Sequence, residues 1–271
     1  MIKAVFFDVD GTLISFKTHT IPLSTVEALK LLRQKGVKIF VSTGRAPSDI
    51  IYLREHLFDG YITCNGSYCT QAKGPVIIKN CIPKNDVERL IQFLSINNNP
   101  FACAFVTEQG TFINRIDGIV KEISALVEVP LPDIVDLQEI DVSNVLQIDA
   151  YIDELTECKI LREIMPGCAS NRWHPMYTDL NMIGNTKGNA IRTIAGLYNF
   201  GSSEIAVFGD GGNDISMFNS CVHSVAMGNA TDAVKCEARY ITDSVDENGI
   251  WNGLLALGLL NGHLPIENET T

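Results

Sequence analysis

Two aspartates stand one residue apart in Asp8-Val9-Asp10-Gly11-Thr12-Leu13, directly after the mostly apolar run from Lys3 to Asp8. An apolar run of that length reads as a strand buried on both faces, as in a parallel sheet. Residues i and i+2 share a face of extended chain, so two carboxylates converge where the strand ends. Close carboxylates oppose each other's ionisation unless a cation lies between them. A hard divalent ion with oxygen ligands answers that need, and Mg²⁺ suits it best. Gly11 lets the chain turn away sharply. The competing reading is a turn rich in Asp that merely closes a strand.

Three further clusters follow. Ser42-Thr43-Gly44-Arg45 ends a second apolar run; a hydroxyl, a glycine and amides entering a helix at Pro47 can hold a phosphate oxygen, or simply cap that helix. Lys187 opens a helical pattern after Asn185-Thr186. A cation at a helix N-terminus opposes the macrodipole, which a neighbouring anion would explain, although a lone lysine is more often a solvated one. Gly209-Asp210-Gly211-Gly212-Asn213-Asp214 follows a third apolar run and again sets carboxylates and an amide where the chain needs glycine freedom; a tight glycine turn is the plainer alternative.

The elements that must position these clusters alternate. Ser24 and Gly36 bracket a helix as N-cap and C′, Val37 to Ser42 is a strand, Pro47 to His56 a helix with proline at its first position, and Tyr61 to Cys64 a strand. Short links between them imply a doubly wound α/β start, followed by a hairpin turning at Ala72-Lys73-Gly74. From Asn85 the pattern becomes hairpins and helices, with Pro130 to Asp141 irregular, and βα alternation returns near Tyr177. The reading is an α/β Rossmann-like parallel sheet in a core of residues 1–83 plus 181–271, with an α+β insert at 84–180 and hinges near Pro83 and Gly184. Residues His263 to Thr271 read as a polar tail.

With 271 residues, 46% apolar and 20% charged, the composition is globular. The net charge of −11 argues against a nucleic-acid partner and against anionic lipid. No apolar stretch reaches the ~20 residues of a membrane span, and an acid arrives too early for a signal peptide. The eight cysteines contain no CxxC pair, so reduced thiols in a cytoplasmic protein are expected rather than a zinc ribbon. The insert holds 7 basic and 16 acidic residues, net −9, against net −2 elsewhere. If some of that charge lines a cleft, multiply anionic substrates would be disfavoured.

Taken in order, Asp-Val-Asp-Gly-Thr-Leu, Ser-Thr-Gly-Arg, Asn-Thr-Lys-Gly and Gly-Asp-Gly-Gly-Asn-Asp resemble the four motifs of haloacid dehalogenase (HAD) superfamily phosphatases of the Cof type. The insert resembles their C2-type cap, in its B form. The resemblance implies Asp8 as nucleophile, forming an aspartyl-phosphate, and Asp10 as general acid and then base. It implies Mg²⁺ held by Asp8, the Asp10 carbonyl and Asp210, with Asp214 as a further ligand or as the group orienting Lys187 or water. Thr43, Lys187 and Asn213, aided by the amides of Val9 and Gly44, would hold the phosphate. Arg45, Asn65-Gly66, Arg172 and His174 are expected to contact substrate, and Trp173 to lie in the cap core. The function implied is hydrolysis of small phosphorylated metabolites, sugar phosphates first, by a monomer or homodimer. The alternatives are a phosphosugar mutase and a non-catalytic phospho-ligand sensor.

Overall fold

The computed structural model describes residues 1–55 and 57–261; His56 and the tail from His263 to Thr271 lie outside the described residues. Two compact units emerge: the described residues of Met1–Ser42, His56–Tyr61 and Ile191–Thr271 form one, and Thr43–Glu55 with Ile62–Ala190 the other. In chain order the elements are β1 (Ala4–Phe7), α1 (Leu23–Gln34), β2 (Lys38–Ser42), β3 (Gly60–Thr63), β4 (Tyr68–Gln71), β5 (Val76–Lys79), α2 (Lys84–Ile96), β6 (Cys103–Val106), β7 (Thr111–Ile113) and α3 (Gly118–Leu126). They continue with β8 (Asp133–Ile134), β9 (Gln147–Ala150), α4 (Glu154–Glu163), β10 (Cys168–His174), β11 (Tyr177–Met182), α5 (Lys187–Tyr198), β12 (Ile205–Gly209), α6 (Ile215–Phe218), β13 (His223–Ala226), α7 (Asp232–Lys235), β14 (Tyr240–Ile241) and α8 (Gly249–Ala256).

The first unit is the Rossmann-like α/β core. Its strands run in the order β14-β13-β12-β1-β2, parallel throughout. All four residues of β1 are fully buried, as an apolar strand covered on both faces must be. Phe6 stacks on Phe40 with ring centroids 4.6 Å apart, and Phe7 meets Phe208 at 5.1 Å. From β1 the chain leaves toward β2 on one side and later returns to β12 on the other. The carboxyl end of β1 is therefore a topological switch point, where open α/β sheets bind ligands.

The second unit carries the β4–β5 hairpin and a six-stranded sheet in the order β10-β11-β9-β6-β7-β8, antiparallel except for the β7–β8 pair. Val87, Leu90 and Leu94 of α2 and Ile160 of α4 bury the sheet face of Cys103, Phe105, Ile148 and Leu180. On the other face Val120 and Ile123 of α3 pack on Ala104, Ile113 and Tyr177. Among the described residues no helix is long and apolar enough to cross a membrane.

Several expectations are corrected. Helix α1 begins at Leu23 behind Pro22, so Ser24 is not its N-cap but a buried residue of the first turn; proline preset for the helix entry leaves no role for a serine cap. Pro47–Glu55 is 3₁₀ rather than α-helix. The connection from Pro130 to Asp141 contains the short strand β8 and a 3₁₀ turn. The segment from Tyr177 does not restart βα alternation: β11 pairs antiparallel with β9 and β10 and continues to Met182. Trp173 is 47% exposed rather than in the cap core, because it flanks the bulge near the β10–β11 turn and leans on Tyr177 from outside, with centroids 5.0 Å apart.

Candidate active site

The candidate residues fall into two groups, one in each unit. The first is built on the register of β1 and β12. Phe7 pairs with Phe208, and the Asp8 amide donates to the Phe208 carbonyl at 2.9 Å, so the residues that follow the two strands emerge side by side. Asp8, Asp210 and Asp214 bring carboxylate oxygens within 4.8 Å of one another. Asp8 and Asp214 are buried, and Asp214 is fully so.

Each of these acids has an identifiable anchor. The Asp210 and Gly211 amides each donate to Asp214 Oδ2 at 2.9 Å. The Thr12 hydroxyl donates to Asp210 Oδ1 at 2.7 Å, and Asn229 Nδ2 to Asp210 Oδ2 at 3.1 Å. Asn229 also donates to the Gly11 carbonyl at 2.9 Å. Gly11 sits at φ +77°, and a Cβ there would lie 2.2 Å from Asp210 Oδ2, so only glycine lets the Asp8–Asp10 turn pass this close. Thr12 and Asn229 escaped sequence reasoning; a single Asn after β13 carries no spacing signal.

Three convergent carboxylates, two of them buried, do not remain ionised together without a cation. The all-oxygen donor set fits a hard divalent ion. Asp10 follows Asp8 on the same turn and is half-buried; its side chain does not belong to the three-carboxylate group. Val9 is fully buried, and Asn213 lies in the 3₁₀ turn before α6.

The second group gathers around Thr43. Its amide donates to the Ile62 carbonyl at 2.9 Å, and the Asn65 amide donates to the Thr43 carbonyl at 3.1 Å. Thr43 Oγ1 accepts from the Arg45 amide at 3.1 Å. Cys64, Asn65 and Gly66 take φ of 49°, 54° and 104° in succession, a run of left-handed backbone that costs energy at the two non-glycine positions. That turn aims Asn65 inward: Nδ2 donates to Asp179 Oδ2 at 2.8 Å and to Gln147 Oε1 at 3.2 Å. Lys187 is 1% exposed at the start of α5, which removes the reading of a solvated lysine. Arg45 reaches the C-cap of α3, donating to the Val127 carbonyl at 2.8 Å.

A Cβ on Gly66 would meet the Thr186 carbonyl oxygen at 2.4 Å, backbone against backbone, at a φ disfavoured for any L-residue. Gly66→Ala is therefore expected to destabilise the protein by about 2–3 kcal/mol and to displace the Thr186–Lys187 entry to α5. Chemical denaturation checks the first, and loss of phosphate binding without loss of fold checks the second.

Arg172 and His174 are not drawn into this group. The Arg172 guanidinium donates to Glu157 Oε2 from Nε at 2.6 Å and to the Ile152, His174 and Pro175 carbonyls at 3.0, 3.0 and 2.9 Å. His174 Nδ1 accepts from the Met176 amide at 3.2 Å. Both brace the β10–β11 turn, beside a cleft of about 610 Å³ lined also by Asp153, Glu154 and Leu155.

Sequence reasoning missed the polar face of β9 and β11. Burial pushes the Asp179 carboxyl up to about 6, against the lowering effects of Asn65, Tyr177 and the Lys187 ammonium. Burial and the Asp179 charge push Asp149 well up too. The signal was present as period-2 alternation in Gln147-Ile148-Asp149 and Asp179-Leu180-Asn181.

A family model described as haloacid dehalogenase-like hydrolase matches residues 5–254. The chain is 28% identical over 259 residues to the putative phosphatase YkrA of Bacillus subtilis, covering 95% of this chain and 98% of that protein. It is 25% identical over 264 residues to the pyridoxal phosphate phosphatase YbhA of Escherichia coli, covering 90% and 96%. The structure of the HAD subclass IIB sugar phosphatase BT4131 aligns with a TM-score of 0.87 at 38% identity, over 95% of this chain and 100% of that one.

Proposed function

The chain belongs to the haloacid dehalogenase-like hydrolases, and from that membership we propose that it is a Mg²⁺-dependent phosphomonoesterase acting on small phosphorylated metabolites, sugar phosphates foremost. The observation that carries the proposal is the convergence of Asp8, Asp210 and Asp214 beyond the paired ends of β1 and β12. The sugar-phosphate assignment draws on the likeness to the sugar phosphatase BT4131.

In this reading Asp8 attacks phosphorus and forms an aspartyl-phosphate, splitting one hard displacement into two easier ones. Asp10 protonates the departing alkoxide, then takes the proton of the water that attacks the acyl-phosphate. Thr43, Lys187 and Asn213, with the amides of Val9 and Gly44, hold the phosphoryl oxygens as charge shifts among them. Asp8, the Asp10 carbonyl, Asp210 and Asp214 would hold Mg²⁺, which neutralises charge between an anionic nucleophile and an anionic phosphate. Thr12 and Asn229 keep Asp210 in place for that task.

We assign residues 84–180 to a C2-type cap of the B form on a core of 1–83 plus 181–271. Arg45 and Asn65-Gly66 contact the leaving group; Arg172 and His174 serve the cap's own turn. Eight free cysteines suit a reducing cytoplasm, and the substrate is a small molecule rather than nucleic acid, bound by a monomer or homodimer.

Phosphate release measured across hexose phosphates, nucleotides and pyridoxal phosphate is expected to be greatest with a hexose monophosphate. Removal of Mg²⁺ by a chelator should lower it at least about 100-fold, with recovery on adding Mg²⁺ back. Absence of phosphate release from every compound with Mg²⁺ present would overturn the proposal.

A further inference from the structure

The entry to α5 is held from a distance. Thr186 supplies the local cap of this helix: its Oγ1 accepts from the Asn189 amide at 3.1 Å, the bond that satisfies an orphan donor of a first turn. Asn185, one residue earlier, has a different set of partners. Its backbone amide donates to the Met182 carbonyl at 3.0 Å. Its side chain, in a residue only 7% exposed, crosses to Ser67, 118 positions earlier in the chain. Asn185 Nδ2 donates to Ser67 Oγ at 3.1 Å and to the Asn80 carbonyl at 3.4 Å, and Asn185 Oδ1 accepts from Asn80 Nδ2 at 3.1 Å.

Ser67 is fully buried and directly follows the left-handed turn of Cys64, Asn65 and Gly66. Its amide donates to the Cys64 carbonyl at 3.0 Å, and its carbonyl accepts from the Asn80 amide at 2.8 Å. Its hydroxyl oxygen accepts from Asn181 Nδ2 at 3.2 Å as well as from Asn185. Asn181 Nδ2 also donates to the Cys64 carbonyl at 3.1 Å. Neutral amides and one hydroxyl therefore join the turn that aims Asn65 to the residues that lead into Lys187. Helix initiation does not require them, because Thr186 caps α5 on its own. Burying amides is costly unless each is hydrogen-bonded. What a satisfied set of directional bonds gives in exchange is a single defined placement.

We propose that Ser67 and Asn185 are positioning residues: they fix where the Lys187 ammonium stands relative to the turn of Asn65 and Gly66, so that the cation is in place before phosphate arrives. This rests on the phosphatase reading above, in which Lys187 holds a phosphoryl oxygen. Lysine carries its charge on a flexible four-carbon stem, so the place of the ammonium depends on where the backbone anchors that stem. Asn185 anchors it two residues upstream, and Ser67 ties that anchor to the turn. A misplacement of about 1 Å in a group that orients reacting atoms can cost about 10²-fold in rate. Neither residue needs to touch the substrate to have this effect.

The test is a pair of double-mutant cycles against Lys187→Met. Asn185→Ala and Ser67→Ala are each made with Lys187 present and with Lys187→Met. The readouts are kcat/KM for a hexose monophosphate and the dissociation constant of inorganic phosphate, both with Mg²⁺ present. With Lys187 present, each variant should lower kcat/KM and weaken phosphate binding about tenfold or more. With Lys187→Met, each should change either quantity by less than about twofold. Leu90→Ala opens a cavity in the apolar core of the same unit; it should lower the melting temperature yet leave both readouts unchanged below the transition. Asn80 is exposed, so Asn80→Ala keeps the test decisive if the buried variants do not fold; its losses, about threefold, should likewise depend on Lys187. Equal losses with and without Lys187 in an active enzyme would overturn the proposal alone. A wild-type protein that hydrolyses no phosphomonoester would overturn the phosphatase reading; the phosphate dissociation constants then decide the proposal, and values unchanged by Lys187→Met would overturn it as well.

Discussion

Asp8→Asn is expected to lower phosphate release by about 10⁴-fold or more while leaving the melting temperature within a few degrees of wild type. The substitution keeps shape and removes the nucleophilic oxygen charge. The register of β1 with β12 places this carboxylate at the end of β1, in one group with Asp210 and Asp214. Stability should hold for a separate reason: removing one of three neighbouring negative charges relieves repulsion in the metal-free protein. The stabilisation that Mg²⁺ gives the wild-type protein, read as the rise in melting temperature on adding it, should shrink in the variant. Turnover near the wild-type level would show that Asp8 is not the nucleophile.

Lys187→Met is expected to cost about 10²–10⁴-fold in kcat/KM. The side chain is 1% exposed, so the methionine keeps the apolar stem packed while the charge proposed to hold a phosphoryl oxygen is gone. The same change acts on Asp179. Lys187 lowers the Asp179 carboxyl, which burial has pushed up to about 6; without that cation it should rise further. The sign follows from linkage. An acid with a raised folded pKa makes the folded state bind more protons than the unfolded one, so stability falls as pH rises from about 3.9 through the folded value of about 6. In Lys187→Met the fall should extend to higher pH and be larger. Melting temperatures at pH 5 and pH 8 check it: the difference should exceed that of wild type, and an equal difference would show that the two groups are not coupled.

The local readings held where local physics decides. β12 spans Ile205–Gly209 and α5 spans Lys187–Tyr198, because a run of apolar β-formers closed by glycine, and a helical apolar period opened after Asn185-Thr186, need little from distant residues. Readings failed where a neighbour in space outweighs one in sequence. Ser24 has the side chain of a cap, yet the helix starts one residue before it, at Leu23, with Pro22 as its cap. Trp173 has the bulk of a core residue, yet its strand bulges beside the turn and leaves it 47% exposed.

By itself the sequence determined the chemistry available: carboxylates one residue apart after a buried strand, a hydroxyl and glycine after another, a lysine at a helix start, and a second acidic glycine turn. Those are properties of residue type and short spacing, and they carry the family likeness. The tertiary structure alone decided which of these groups meet. Asp8 and Asp210 are brought together by the parallel register of β1 and β12, a pairing about which neither segment carries information. It also decided that the acids of β9 and β11 oppose each other beside Gly44 and Asn65, because strand register selects the face each side chain takes. The acidity of the insert was countable from composition; that two of its carboxylates lie against Asn65 and, through Gln147, Gly44 followed only from the fold.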